Sequence, residues 1–100
     1  METKFTKGKW HTYISPEKKE AYISANKTYF MAQVFCRETN MDFEETTANA
    51  KLIAAAPDMF NALRDLYDDK EVWSDLFESQ QAFICRVLNK ATDSNFFKHK

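Results

Sequence analysis

The sequence predicts an α+β fold, in which a three-stranded antiparallel meander is followed by three helices packed on one face of the sheet. Apolar and polar residues alternate between residues 9 and 37, as in strands, and from residue 42 to residue 91 apolar residues recur every three or four positions, as in helices. The connections between the predicted strands are short, which favours antiparallel neighbours. Because both element types carry an apolar face, sheet and helices are expected to cover each other.

Length and composition predict one globular domain, residues 1–100, with flexible polar ends at residues 1–8 and 93–100. Hydrophobic residues make up 44% of the chain and aromatic residues 15%, which is ample for a core. The formal net charge of −1 excludes a generally basic nucleic-acid coat protein. Residues 1–40 hold seven Lys/Arg and four Asp/Glu, whereas residues 41–100 hold seven and eleven. This split indicates either ordinary solvated faces or a molecule with one face that binds an acidic partner or one that binds a basic partner.

The predicted strands cover residues 9–14, 21–25 and 28–37. In the first strand, alternation places Trp10 on one face and Tyr13 on the other. The turn between the first two strands contains Pro16 and charged residues, a composition typical of turns.

The third strand is the strongest, because it is rich in aromatic and β-branched residues. Strict alternation puts Phe30 and Val34 on one face, and Met31 and Gln33 on the other.

The first helix is predicted to begin at Asp42, whose spacing from Glu45 is that of a capping box, and to run to Ala55. A break is expected at Ala56-Pro57, since proline cannot donate to a continuing helix. A second helix follows to Tyr67. The third is predicted as one continuous helix over residues 72–91, whose apolar stripe spans five turns.

Residues 48–59 read ANAKLIAAAPDM. This segment resembles a motif, roughly ANA(K/R)LIAAAPE, of small and mostly uncharacterised proteins of tailed bacteriophages and prophages. Weaker matches flank it at residues 31–34 and 85–92, so that the resemblance covers residues 10–92. It implies a phage origin and a short sheet leading into a helix. It implies no particular activity, because the family has none in common.

The sequence predicts that the protein is not an enzyme. It contains no P-loop, no dinucleotide-binding fingerprint and no Gly-x-Ser-x-Gly, and it has one glycine in all. His11, His99, Cys36 and Cys85 lack the close pair spacing of a zinc site. No catalytic residue, cofactor or metal is therefore expected. The two cysteines are interpreted as buried thiols rather than a disulfide.

Two sets of residues are candidates for binding a partner. Lys9, Trp10 and Tyr13 combine basic and aromatic side chains on the first strand, as in sheets that stack unpaired bases. The alternative is a core face with lysines that protect a sheet edge. The second set is acidic and suits a basic partner or, alternatively, is a solvated helix end; it comprises Asp65, Asp68, Asp69 and Asp75.

The function that these features favour is a small phage-encoded accessory protein that binds and inhibits or modulates a host protein, such as a component of bacterial defence. The alternatives are a nucleic-acid-binding protein that uses the Lys/aromatic sheet surface, and a sponge for a small ligand. No apolar stretch reaches the roughly 18 residues of a membrane span, and no signal peptide is evident. The predicted location is therefore the host cytoplasm, away from the membrane.

A homodimer is also predicted, through the last helix. Its apolar stripe exceeds what a small sheet and two short helices are expected to cover, and uncovered apolar patches commonly mark contact surfaces. Trp73, Phe77 and Ile84 are the candidate interface residues, and a two-fold dimer is the commonest arrangement. The alternative is a monomer that buries the whole stripe.

Overall fold

The computed structural model describes residues 3–26, 29–35 and 43–98, and it confirms the α+β fold class. Three strands come first and form one antiparallel sheet in the order β1-β2-β3. The helices follow. The elements are β1 (Trp10–Ser15), β2 (Glu20–Ala25), β3 (Tyr29–Val34), α1 (Phe43–Ala54), α2 (Ala56–Asp68), α3 (Lys70–Ser74) and α4 (Glu78–Thr92).

Contacts between residues divide the chain into two compact units. The sheet unit is Thr6–Pro57, and the helical unit combines Met1–Phe5 with Asp58–Lys100. Each unit has its own cluster of buried apolar side chains. That the whole chain forms one domain stays a prediction.

In the sheet unit, α1 packs on one face of the sheet. Ala21, Ile23 and Ala50 are fully buried at this contact. Two of the three are alanines, whose small side chains let the helix approach the strands closely. Partly buried residues of β1, β3 and α1 complete the core, namely Trp10, Ile14, Met31, Val34 and Ala54.

A β-bulge changes which residues of β3 face this core. The β2–β3 register shifts between Ile23 and Ser24, and Met31 has no paired residue on β2. Because a bulge adds one residue to one strand, alternation is interrupted there. Met31 and Val34 therefore both pack against the core, while Phe30 pairs with Ser24 on the other face. The prediction that Phe30 and Val34 share a face was wrong.

The first two helices follow the predicted pattern. Glu44 and Glu45 lie in the first turn of α1, where carboxylates suit the positive end of the helix dipole. Asp42, the predicted N-cap, lies outside the described residues. The predicted break is present: α1 ends at Ala54, and Pro57 occupies the first turn of α2, where its missing N–H is harmless.

The last predicted helix is two helices, so that the described residues form four helices where the sequence predicted three. The Asp69 carboxylate caps α3 by accepting from the main-chain N–H groups of Glu71 and Val72, at 3.1 and 3.2 Å. At the start of α4, Gln80 Oε1 accepts from the Phe77 N–H at 2.9 Å. The apolar period continues across the break, which is why the pattern predicted one helix.

In the helical unit, aromatic rings form most of the core. The buried residues are Phe60, Tyr67, Trp73, Cys85, Leu88 and Phe97, and Phe5, Leu63, Leu76 and Ile84 pack against them. Within the polar end that the sequence predicts as flexible, Phe97 is thus part of the core. None of the helices in the described ranges is long and apolar enough to cross a membrane.

Candidate partner-binding surface

The face of the sheet opposite α1 carries a cluster of three aromatic side chains, Tyr13, Tyr22 and Phe30, which we call the aromatic triad. Tyr13 and Tyr22 are paired residues of β1 and β2. Phe30 is on the same face because it pairs with Ser24, which is two residues from Tyr22 on β2. Because of the bulge at Met31, β3 places Phe30 on this face and still supplies Met31 and Val34 to the core on the other face.

The rings of the triad contact one another. Tyr22 and Phe30 are stacked, with centroids 4.6 Å apart and an interplanar angle of 21°. Tyr13 lies 5.7 Å from Phe30 and 6.5 Å from Tyr22, measured between ring centroids. These separations are those of favourable aromatic pairs. Tyr13 and Phe30 nevertheless remain 55% and 56% exposed, so the triad is a preorganised apolar surface in contact with water.

A carboxylate lies beside the triad. The Tyr22 hydroxyl donates a hydrogen bond to Glu20 Oε2 at 3.0 Å. This hydrogen bond raises the pKa of Tyr22, and desolvation and the negative charge of Glu20 raise it further. The surface therefore combines neutral aromatic rings with one fixed anionic group at its margin.

The structure divides the predicted Lys9, Trp10 and Tyr13 set between the two faces of the sheet. Trp10 packs against the core, and its indole N–H donates to the Thr6 carbonyl oxygen at 3.0 Å. Tyr13 belongs to the triad, and Lys9 is exposed just before β1. Alternation along β2 is sufficient to predict that Tyr22 lies on the face opposite the core. Alternation along β3 does not predict the face of Phe30, because of the bulge.

The four predicted acidic residues are all exposed. Asp69 and Asp75 are the N-cap and C-cap residues of α3, which gives both a role in the local fold. Asp65 and Asp68 lie on the last two turns of α2. Their proposed use by a basic partner stays a prediction.

The three candidate dimer residues differ in exposure. Trp73 is buried, Ile84 packs against the helical core, and Phe77 is 75% exposed. Two of the three therefore contribute to the core of their own unit. Among the described residues from 70 onward, the large apolar side chains that face water are Val72, Phe77, Phe83 and Phe96. Dimerisation stays a prediction.

Catalysis and metal binding are the remaining site predictions, and the absence of catalysis stays a prediction. No group of three or more His, Cys, Asp or Glu residues in the described ranges is arranged to hold a metal ion. A cavity of about 420 Å³ runs along α1 and is lined by Phe43, Glu44, Thr47, Ala48 and Lys51. It holds one carboxylate and one ammonium group.

Comparison with known proteins gives one family. The family model described as Salmonella phage P22 protein Y8K6 matches residues 1–95 of the chain. This range includes every strand and helix that the structure describes, from β1 to α4. No curated protein and no solved structure is significantly similar to the chain.

Proposed function

Since the chain belongs to the family of Salmonella phage P22 protein Y8K6, we propose that it is a phage-encoded accessory protein that binds a host protein through the aromatic triad. The predicted membership of a family of small phage proteins is thereby confirmed, while the motif at residues 48–59 is not itself tested. The proposal assigns the protein no catalysis. Inhibition or modulation of the host protein, in the host cytoplasm, would follow from occupation of that protein's surface.

The observation that carries the proposal is the exposure of the triad. Tyr13 and Phe30 each leave more than half of their surface in water, although their rings already contact each other at 5.7 Å. Aromatic side chains, tyrosine in particular, are enriched at the energetically dominant positions of protein interfaces. A rigid cluster also loses little side-chain entropy when a partner covers it.

Two features favour a protein partner over a nucleic acid. Tyr22 and Phe30 stack on each other, so each offers fewer open ring faces for a base to stack on. The Glu20 carboxylate beside Tyr22 would repel a phosphate backbone. A defence component is the narrower proposal, and its support is analogy with other small phage proteins.

Affinity capture from lysate of the bacterial host tests the proposal. We expect the tagged chain to recover a specific host protein, and the double variant Tyr13→Ala/Phe30→Ala to lose it. Phe83→Ala is the matched control, because Phe83 is 57% exposed but lies on α4 in the helical unit. Equal recovery by all three proteins, or recovery of no protein, would contradict the proposal.

A second candidate function is binding of single-stranded nucleic acid. The observation that favours it is the position of exposed Lys9 before β1 and Lys18 after it, so that lysines lie at both ends of the strand that carries Tyr13. Anisotropy of a labelled oligonucleotide tests it. Binding should weaken steeply as salt rises, since phosphate contacts release counterions, and Lys9→Ala should weaken it further. No binding at low salt would remove this candidate.

A further inference from the structure

The C-terminal segment lies against the helical unit as a bound peptide would. The Asn89 side chain holds Phe97 by its main chain: Nδ2 donates to the Phe97 carbonyl oxygen and Oδ1 accepts from the Phe97 N–H, both at 2.9 Å. Tyr67 does the same one residue later. Its hydroxyl donates to the Lys98 carbonyl oxygen at 3.0 Å and accepts from the Lys98 N–H at 3.2 Å.

The Phe97 side chain fills a pocket of aromatic rings. It is 3% exposed, and its ring centroid lies 5.1 Å from that of Tyr67 and 6.4 Å from that of Phe60, both in edge-to-face geometry. The neighbouring side chains of the segment are not inserted: Asn95, Phe96 and Lys98 are exposed. We call the surface formed by Phe60, Tyr67 and Asn89 the tail groove.

Within the described residues, the tail groove contacts two features of the segment, which are its main chain and the Phe97 ring. Asn89 and Tyr67 bind main-chain groups, which every peptide other than one with proline at these positions possesses. The ring pocket selects one large aromatic side chain. We therefore propose that the tail groove is a binding site for an extended, phenylalanine-containing segment of a partner protein, and that the chain's own residues 94–98 occupy it in its absence. This inference does not depend on the aromatic triad.

The segment is attached so that it can be exchanged. Helix α4 ends at Thr92, and Asp93 adopts a left-handed conformation with φ of 50° that terminates it. Residues 94–98 are in neither helix nor strand, so their release breaks no secondary structure. A tethered segment competes at an effective concentration in the millimolar range for short linkers. The intact chain should accordingly bind an added peptide weakly.

Fluorescence anisotropy on the full chain tests the proposal, with a labelled peptide that has the sequence of residues 93–100. We expect the Phe97→Ala chain to bind this peptide at least tenfold more tightly than the wild-type chain, because its own segment no longer fills the pocket. A peptide with alanine in place of the phenylalanine at position 97 should bind neither. A folded Phe97→Ala chain that binds no peptide, or both peptides equally, would overturn the proposal.

Phe97→Leu serves if the alanine variant does not fold, since leucine keeps most of the apolar volume. It should also bind the peptide more tightly than wild type, and adding Asn89→Ala should abolish the gain. Failure of a folded Phe97→Leu chain to bind would overturn the proposal. So would a stable wild-type dimer with exchanged segments, because the occupant would then be a second copy of this chain.

Discussion

Both units contain a cluster of aromatic rings, and the two clusters are alike in contact geometry but different in exposure. Ring centroids in the triad are 4.6 to 6.5 Å apart, and those in the helical core are 5.0 to 6.4 Å apart. Phe30 of the triad is 56% exposed, whereas Phe60 of the helical core is 7% exposed. Ring contact therefore does not distinguish the buried cluster from the exposed one in this protein. The two clusters differ in how far water is excluded from the rings.

The difference has an energetic consequence. Aromatic pairs contribute about 0.5–1.5 kcal/mol beyond the area they bury, and both clusters have such pairs. Removal of apolar surface from water contributes about 25 cal/mol per Å², and only the rings of the helical cluster have most of their surface removed from water by folding. The rings of the triad keep much of their surface in water, so a partner that covered them would be stabilised by burying it.

The largest expected effect comes from making the same substitution in each cluster. Phe60→Ala should lower the free energy of unfolding by about 3–5 kcal/mol, since it leaves a cavity in a packed core. Phe30→Ala should change it by about 1 kcal/mol or less, since Phe30 is mostly in water already. Urea unfolding followed by circular dichroism measures both. Equal losses would show that the triad is a structural core.

The fold was predictable because the apolar period changes between residues 37 and 42, from that of strands to that of helices. The break between α3 and α4 was not predictable from this pattern, because Leu76 and Phe77 continue the helical period through it. Two single side-chain contacts stabilise it, and periodicity does not register either: Gln80 Oε1 accepts from the Phe77 N–H, and Gln81 Nε2 donates to the Trp73 carbonyl oxygen at the end of α3.

The candidate surface was only partly predictable. Tyr13 was identified, whereas Trp10 was grouped with it although the two lie on opposite faces. Phe30 was assigned to the wrong face because one added residue, Met31, shifts the register of β3. A bulge depends on how two strands pair, and a pattern read along one strand does not contain that information.

A smaller effect is expected from the side chain that holds the C-terminal segment. Asn89→Ala removes both hydrogen bonds to the Phe97 main chain and should lower the free energy of unfolding by about 1–3 kcal/mol. Asn61→Ala is the matched control, because Asn61 accepts one hydrogen bond from Arg64 within α2. Hydrogen exchange should quicken at residues 94–98 in the first variant only. Unchanged exchange there would contradict a retaining role for Asn89.

The two tryptophans allow a finer comparison of the units. Trp73 has a buried indole N–H with no hydrogen-bond partner in the described part of the chain, whereas the Trp10 indole N–H donates to Thr6. Trp10→Phe should therefore cost about 1 kcal/mol for the lost hydrogen bond. Trp73→Phe should cost less, because loss of an unsatisfied buried donor offsets lost packing. Thermal unfolding measures both, and the opposite order would show that packing lost in the helical core outweighs the relief of the unsatisfied donor.

The smallest effect concerns the margin of the triad and is seen in a titration. The hydrogen bond to Glu20 raises the pKa of Tyr22 above its ordinary value of 10.0, because the neutral hydroxyl is the form that donates. The stability it contributes is present below pH 10 and is lost as pH rises through the raised pKa. Glu20→Gln should lower the pKa of Tyr22, because it removes the carboxylate acceptor and its charge. Ultraviolet titration of the tyrosinate band measures this, and Tyr22→Phe identifies which of the four tyrosines has the changed pKa.

The control is Glu17→Gln, because Glu17 is an exposed glutamate in the preceding turn. This variant should leave the titration unchanged. If it shifts the curve as much as Glu20→Gln does, general surface charge and not the hydrogen bond sets the pKa of Tyr22.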